Sequence, residues 1–181
     1  MPVFIALLRG INIGPHKRMK MEELRACCEG AGFRDVKTYI QSGNVVLRAN
    51  ISSAQLQKKL AGCILSDFGF PVEVIARTCE EFEGVIGHNP LLKERGLDAS
   101  KLHVVFLAEK PAPASLKKLE ELTLAPDRVR NLGREIYFYF PNGVSGSSLW
   151  KHSLDRVLGA PATMRNWNTV NALYKMAAEI E

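Results

Sequence analysis

Apolar and polar positions change their spacing in a regular order along the chain. Val3 to Leu8 is an unbroken apolar run, VFIALL, and predicts a first strand over about Val3–Arg9 buried in the core. A glycine-bearing loop follows. Met21, Leu24, Cys28 and Ala31, spaced 3, 4 and 3, then place one apolar stripe on a helix, with Gly30 or Gly32 available as its left-handed cap. Val36, Thr38 and Ile40, then Val45 and Leu47, alternate on either side of Ser42-Gly43-Asn44 and predict a hairpin. Ser52-x-x-Gln55 has capping-box spacing before a helix carrying Leu56, Leu60 and Ile64. FPVEVIAR predicts a fourth strand, and Thr78-x-x-Glu81 opens another helix through Phe82 and Ile86. The order is β-α-β-β-α-β, a ferredoxin-like unit.

The second half has the same order. KLHVVFLAE predicts a strand, Ala114–Leu122 a helix and RVRNLGREIYFYF a hairpin turning near Gly133. Ser147–Leu158 predicts a helix, ATMRNW a short extended piece, and Asn168–Ile180 a final helix with Val170, Leu173, Ala177 and Ile180 on one face. A shift of about 90 residues sets Gly43 against Gly133, Thr78 against Thr169 and Phe82 against Leu173. The expected class is α+β: two ferredoxin-like subdomains packed together, over 1–87 and 101–181, each followed by an extra helix and joined by a connection over 88–100.

Composition adds little to this outline. A hydrophobic share of 46% with 24% charged residues is that of an ordinary soluble globular chain. The net charge of +5 permits a nucleic-acid or phosphate-bearing partner without requiring one. Cys27, Cys28, Cys63 and Cys79 form no C-x-x-C pair and fall on predicted helices, where they read as reduced core thiols. The apolar N-terminal run lacks a preceding basic region and a cleavage site and is too short to span a membrane, so the expectation is a cytoplasmic protein with no membrane partner.

Candidate chemistry gathers in three polar segments. In LLRGINIGPHKRMKM, Arg9, Asn12 and Lys20 accompany His16, Lys17 and Arg18 between a strand and a helix start. That arrangement turns backbone N–H groups and cations toward an anion, although it matches no established phosphate-loop spacing. Equally, it reads as a basic connection whose glycines merely allow the turn. In TYIQSGNVVL, Tyr39, Gln41, Ser42 and Asn44 put more hydrogen-bonding groups around a turn than the turn requires. Tyr39, on the face away from the helices, offers a stacking ring or a packing wedge. In TMRNWNTV, Arg165 suits phosphate or carboxylate, Trp167 stacking, and Asn166, Asn168 and Thr169 hydrogen bonding. Asn168 or Thr169 also serves as a helix N-cap. His16, His88, His103 and His152 have no metal-ligand spacing, and no nucleophile elbow or carboxylate pair accompanies these segments. Metal catalysis and triad hydrolysis are therefore disfavoured, and no cofactor is indicated.

LLRGINIG…K…M.ELR…GF.DVKTYIQSGNVV and T.RNWNTV..L resemble the two signature blocks of the bacterial family called domain of unknown function 1697, over Val3 to about Met176. The resemblance implies cytoplasmic bacterial proteins of two ferredoxin-like α+β subdomains, and no activity. The family pattern continues GINVGG. Here Pro15 takes the place of a glycine and stiffens the loop.

The leading expectation is a cleft between subdomains that binds an anionic, nucleotide-like ligand or nucleic acid. Arg9, Lys20 and Arg165 would hold phosphate, Asn12, Gln41, Ser42 and Asn44 would hydrogen-bond, and Tyr39 or Trp167 would stack. One alternative is a transferase-like enzyme on a phosphorylated small molecule, with Ser42, Tyr39 or His16 as its only nearby nucleophile or base. Another is that the polar segments are purely structural hydrogen-bonded pins.

Overall fold

The computed structural model describes residues 1–181, which pack as two units: Met1–Gly84 with Ala172–Glu181, and Val85–Asn171. In the first unit, strand β1 (Val3–Leu8) leads through a long loop to helix α1 (Met21–Gly30). Strands β2 (Arg34–Tyr39) and β3 (Asn44–Arg48) form the hairpin, followed by helix α2 (Ser53–Phe68), strand β4 (Val74–Thr78) and helix α3 (Cys79–Gly87). The antiparallel sheet has the order β2-β3-β1-β4, which puts the apolar first strand at its centre.

Side-chain alternation divides β1 between the two faces of the sheet. Phe4, Ala6 and Leu8 join Val45, Leu47, Val74 and Ala76 against Leu24 and Cys28 of α1 and Leu56, Leu60 and Ile64 of α2. Val3, Ile5 and Leu7 are buried as well, which explains why the run is continuous rather than alternating. The expected caps form. Ser52 and Gln55 close a capping box on α2, and Thr78 and Glu81 exchange two further bonds, of 2.8 and 3.1 Å, at the start of α3. Gly32 takes φ +85° just past α1. Ile40 departs from the expected alternation. β2 ends at Tyr39, and Ile40 lies in the turn, half exposed, at φ +49°.

The second unit holds strand β5 (Leu102–Leu107), helix α4 (Pro113–Leu122), strands β6 (Arg128–Leu132) and β7 (Glu135–Tyr139), helix α5 (Leu154–Leu158), strand β8 (Ala162–Asn166) and the start of helix α6 (Trp167–Ala178). Its sheet order, β6-β7-β5-β8, is that of the first unit. Val105, Leu107, Ile136, Phe138 and Phe140 face Leu119 of α4 and Val157 and Leu158 of α5. The protein is thus α+β, with two similar βαββαβ units.

Two expectations change here. The helix over Ser147–Leu158 is instead one 3-10 turn, Ser148–Lys151, and the five-residue α5, with a further 3-10 turn, Val144–Gly146, just before it. Ser147 spends its hydroxyl on the Leu149 N–H, and His152 is extended, so the segment restarts rather than continuing as one helix. Nor does one offset relate the two halves. It is 99 residues between β1 and β5, 92 between α1 and α4, and 88 between β4 and β8. Thr78 therefore corresponds to Asn166, and each follows a buried arginine, Arg77 or Arg165, at the end of its strand.

Candidate functional site

The first change in offset, from 99 to 92, comes from one place. The connection from β1 to α1, Arg9–Lys20, has twelve residues, against five in Ala108–Ala112 between β5 and α4. Apolar anchors hold the long loop at two points, Ile11 and Met19, both buried. Between them the chain turns back on itself. Gly10, Asn12, Gly14 and Lys17 all have positive φ, and the Asn12 N–H donates to the Lys17 carbonyl at 3.0 Å.

Asn12 ties this loop to the hairpin. Its Nδ2 donates to the Met19 and Gln41 carbonyls, each at 2.8 Å, and its Oδ1 accepts from the Met19 N–H at 2.8 Å. Both Nδ2 hydrogens and the carbonyl oxygen are thus engaged. Asn44, fully buried, does the same inside the hairpin, donating through Nδ2 to the Tyr39 carbonyl and to Ser42 Oγ, both at 2.9 Å. Gly43 completes the joint. Its φ is +81°, and a Cβ there would come within 2.7 Å of Ile11 Cδ1 and 2.8 Å of Leu8 Cβ. Only a residue without a side chain lets the turn close over the loop.

The joined segments leave an open pocket of about 510 Å³ lined by Asn12, Arg18, Met19, Lys20, Glu23 and Gln41. It lies at the start of α1, whose N-cap residue, Lys20, makes no side-chain capping bond. The first-turn N–H groups and the positive end of the helix dipole are therefore available there, with Glu22 and Glu23 opposing part of that field. Arg18 and Lys20 are exposed and take no part in the ion pairs of this unit. Ile13 (76% exposed) and Ile40 (50%) are the chain neighbours of Asn12 and Gln41 and are unusually open for isoleucines.

Of the residues expected to form a site, Asn12, Lys20 and Gln41 line this pocket. Arg9 is the strand-end cation bound to Glu73, 3.1 Å away, and Tyr39, Ser42 and Asn44 build the hairpin beside it. Arg18 and Glu23 line it too, and spacing held a clue. Glu23 is three residues beyond Lys20, one helical turn on the same side.

The third segment belongs to the second unit and the start of α6. Arg165 is buried and donates to Thr163 Oγ1 at 2.7 Å and to the Met164 carbonyl at 2.8 Å. Burial pushes its guanidinium down to about 10, still charged at neutral pH. The α6 cap is Asn166, whose Oδ1 accepts from the Thr169 N–H at 2.8 Å, rather than Asn168 or Thr169. The difference follows from the helix beginning one residue earlier, at Trp167. Trp167 and Thr169 are buried, while Asn166 and Asn168 are exposed.

Other chemistry is sparse. No group of three His, Cys, Asp or Glu residues could hold a metal ion, and no helix is long and apolar enough to cross a membrane. His103 lies 5.4 Å from the Phe140 ring, and burial holds its imidazole below the usual value.

Among solved structures, that of a conserved bacterial protein from Streptococcus pneumoniae matches with a TM-score of 0.79. The match covers 97% of this chain and 98% of that one at 23% identity, and therefore shows the fold alone. None of the curated proteins matches the chain. The family described as Protein of unknown function (DUF1697) matches residues 1–137, which include the loop, the hairpin and every residue lining the pocket. The chain belongs to that family.

Proposed function

We propose that the first unit binds a small phosphate-bearing ligand, nucleotide-like in having an apolar or aromatic part, at the pocket between the β1–α1 loop and the hairpin turn. One observation carries the reading. Arg18 and Lys20 stand exposed beside a helix start with no side-chain cap, in a pocket large enough for a phosphate and more. Arg18 and Lys20 supply the charge, first-turn N–H groups of α1 supply directed donors, and the Gln41 amide is the polar selector. Ile13 and Ile40, exposed and next in sequence to the lining residues Asn12 and Gln41, suit an apolar moiety.

Asn12 and Asn44 serve this reading as walls rather than contacts, because their amides already bond the loop and the turn to each other. A structural role for those two is therefore part of the proposal. A small ligand is favoured over nucleic acid because, on the sheet face away from α1, Lys37 lies 3.9 Å from Glu179 and Arg48 bonds the Glu181 carbonyl at 3.2 Å. Glu179 and Glu181 thus engage cations that an open, nucleic-acid-binding sheet face would use.

A thermal-shift and calorimetric screen with ATP, a sugar phosphate and a short single-stranded RNA tests the reading. A ligand at about 100 times its Kd should stabilise the protein by about 2.7 kcal/mol. Binding of ATP or the sugar phosphate, weakened at least about tenfold (1.4 kcal/mol) in Lys20→Ala and Arg18→Ala, is the expected result. No binding of any probe, or binding unchanged in both variants, overturns it. Preference for RNA with a steep salt dependence returns the site to nucleic acid.

A further inference from the structure

The four cysteines, read from sequence as reduced core thiols, are not alike in the fold. Cys27 on α1 and Cys63 on α2 are 36 residues apart in sequence, yet their sulfurs are 3.1 Å apart, with the Cys27 thiol donating to Cys63 Sγ. Cys28, the chain neighbour of Cys27, faces the core with no exposure, and Cys79 is buried at the start of α3. A disulfide needs its sulfurs at about 2.05 Å, so the pair lacks roughly one ångström of approach between two neighbouring helices.

We propose that Cys27 and Cys63 form an oxidisable thiol pair that a peroxide converts to a disulfide joining α1 to α2. The inference stands on the thiol geometry and is independent of the phosphate pocket. Access is asymmetric. Cys63 is half-buried, whereas Cys27 is 6% exposed and forms part of the lining of an open pocket of about 450 Å³ with Glu23, Ala26, Asp67 and Phe68. Burial, then hydrogen bonds to Cys63 and Asp67, pushes the Cys27 thiol well above the ordinary cysteine range. Cys63, the more exposed of the two sulfurs, meets the oxidant first, and Cys27 resolves the product.

The steps balance. The Cys63 thiolate attacks one peroxide oxygen, the O–O bond breaks, and the departing hydroxide gains a proton to leave as water. Cys63 is then a sulfenic acid, oxidised by two electrons. The Cys27 sulfur attacks Cys63 Sγ, the S–O bond breaks, and the hydroxyl leaves with the Cys27 proton as a second water. Two thiols and one hydrogen peroxide become one disulfide and two waters. Within a reducing compartment such a bond is transient and regulatory rather than a permanent staple.

The test treats the full-length protein with a slight excess of hydrogen peroxide, followed by denaturation, maleimide labelling and non-reducing peptide mapping. The expected product has lost two hydrogens, links the Cys27 and Cys63 peptides within one chain, and still labels at Cys28 and Cys79. Its urea midpoint should rise, because the cross-link constrains the unfolded chain, and dithiothreitol should reverse the change. In Cys63→Ser the mass loss should disappear. In Cys27→Ser, Cys63 should gain oxygen instead of closing a bridge. Four labelled thiols after peroxide, a link through Cys28 or Cys79, or oxygen addition at Cys63 of the wild-type protein would each overturn the proposal. The partly exposed Cys63 position keeps the test available should Cys27→Ser fold poorly.

Discussion

The two units use one strand order and differ in how the first strand is connected to the first helix. In the second unit five residues, Ala108–Ala112, suffice. In the first, Arg9–Lys20 takes twelve, buries Ile11 and Met19, turns through four positive-φ residues and is bonded to the hairpin by Asn12. The hairpins differ in the same sense. β6 and β7 are joined by Gly133 and Arg134 alone, with open space around Gly133, whereas β2 and β3 are joined by Ile40–Gly43, with Gly43 against Leu8 and Ile11. The short connections show what the fold requires. The added residues and bonds of the first unit exceed that requirement, and the pocket lies among them.

Gly43→Ala against Gly133→Ala should show the largest contrast. At Gly43 the methyl group collides with Leu8 Cβ and adopts positive φ, for an expected loss of about 2–4 kcal/mol in urea unfolding. At Gly133 only the backbone strain remains, about 1 kcal/mol. Equal losses would break the claim that the first hairpin is closed by packing.

Asn12→Ala should follow at about 2–3 kcal/mol, because it abandons two carbonyls and one N–H. Asn131→Ala in the second hairpin, where the amide donates to the Gly133 and Glu135 carbonyls at 3.2 and 3.0 Å near solvent, should cost about 1 kcal/mol or less. Lys20→Ala and Arg18→Ala should leave unfolding within about 0.5 kcal/mol while weakening phosphate-ligand binding, which separates the pocket's charges from its walls.

The smallest effect lies in the second unit. Burial lowers the His103 pKa in the folded protein, so the unfolded chain binds the extra proton as pH falls through its ordinary value of 6.5. The resulting stability loss begins near that value and grows until pH passes the lowered folded value. His103→Phe should flatten this part of the stability–pH curve. A curve unchanged by the substitution would remove His103 as its cause.

Much of this architecture was legible in the chain because its determinants are local. The apolar run VFIALL, the 3-4-3 spacing from Met21 and the capping pairs Ser52–Gln55 and Thr78–Glu81 each act within a few residues. Legibility failed where local signals competed. Ser147 caps a single 3-10 turn instead of starting a long helix, and Ile40, in alternation by sequence, is turned out at positive φ. The polar cluster of the hairpin was legible as an excess of polarity but not as a division of labour. Asn12 and Asn44 are pins, Gln41 lines the pocket, and Arg18, one cation among several in its loop, lines it too.

Sequence by itself determined the element order, the caps of α2 and α3 and the family, since periodicity, turn chemistry and motif spacing are written along the chain. Only the tertiary structure decided which asparagines are spent on structure, why Gly43 must be glycine, and that Cys27 meets Cys63. The Asn12–Gln41 bond, the close packing at Gly43 and the thiol pair join residues 29 to 36 apart, and the approach of two such segments is set by packing, which no local pattern encodes.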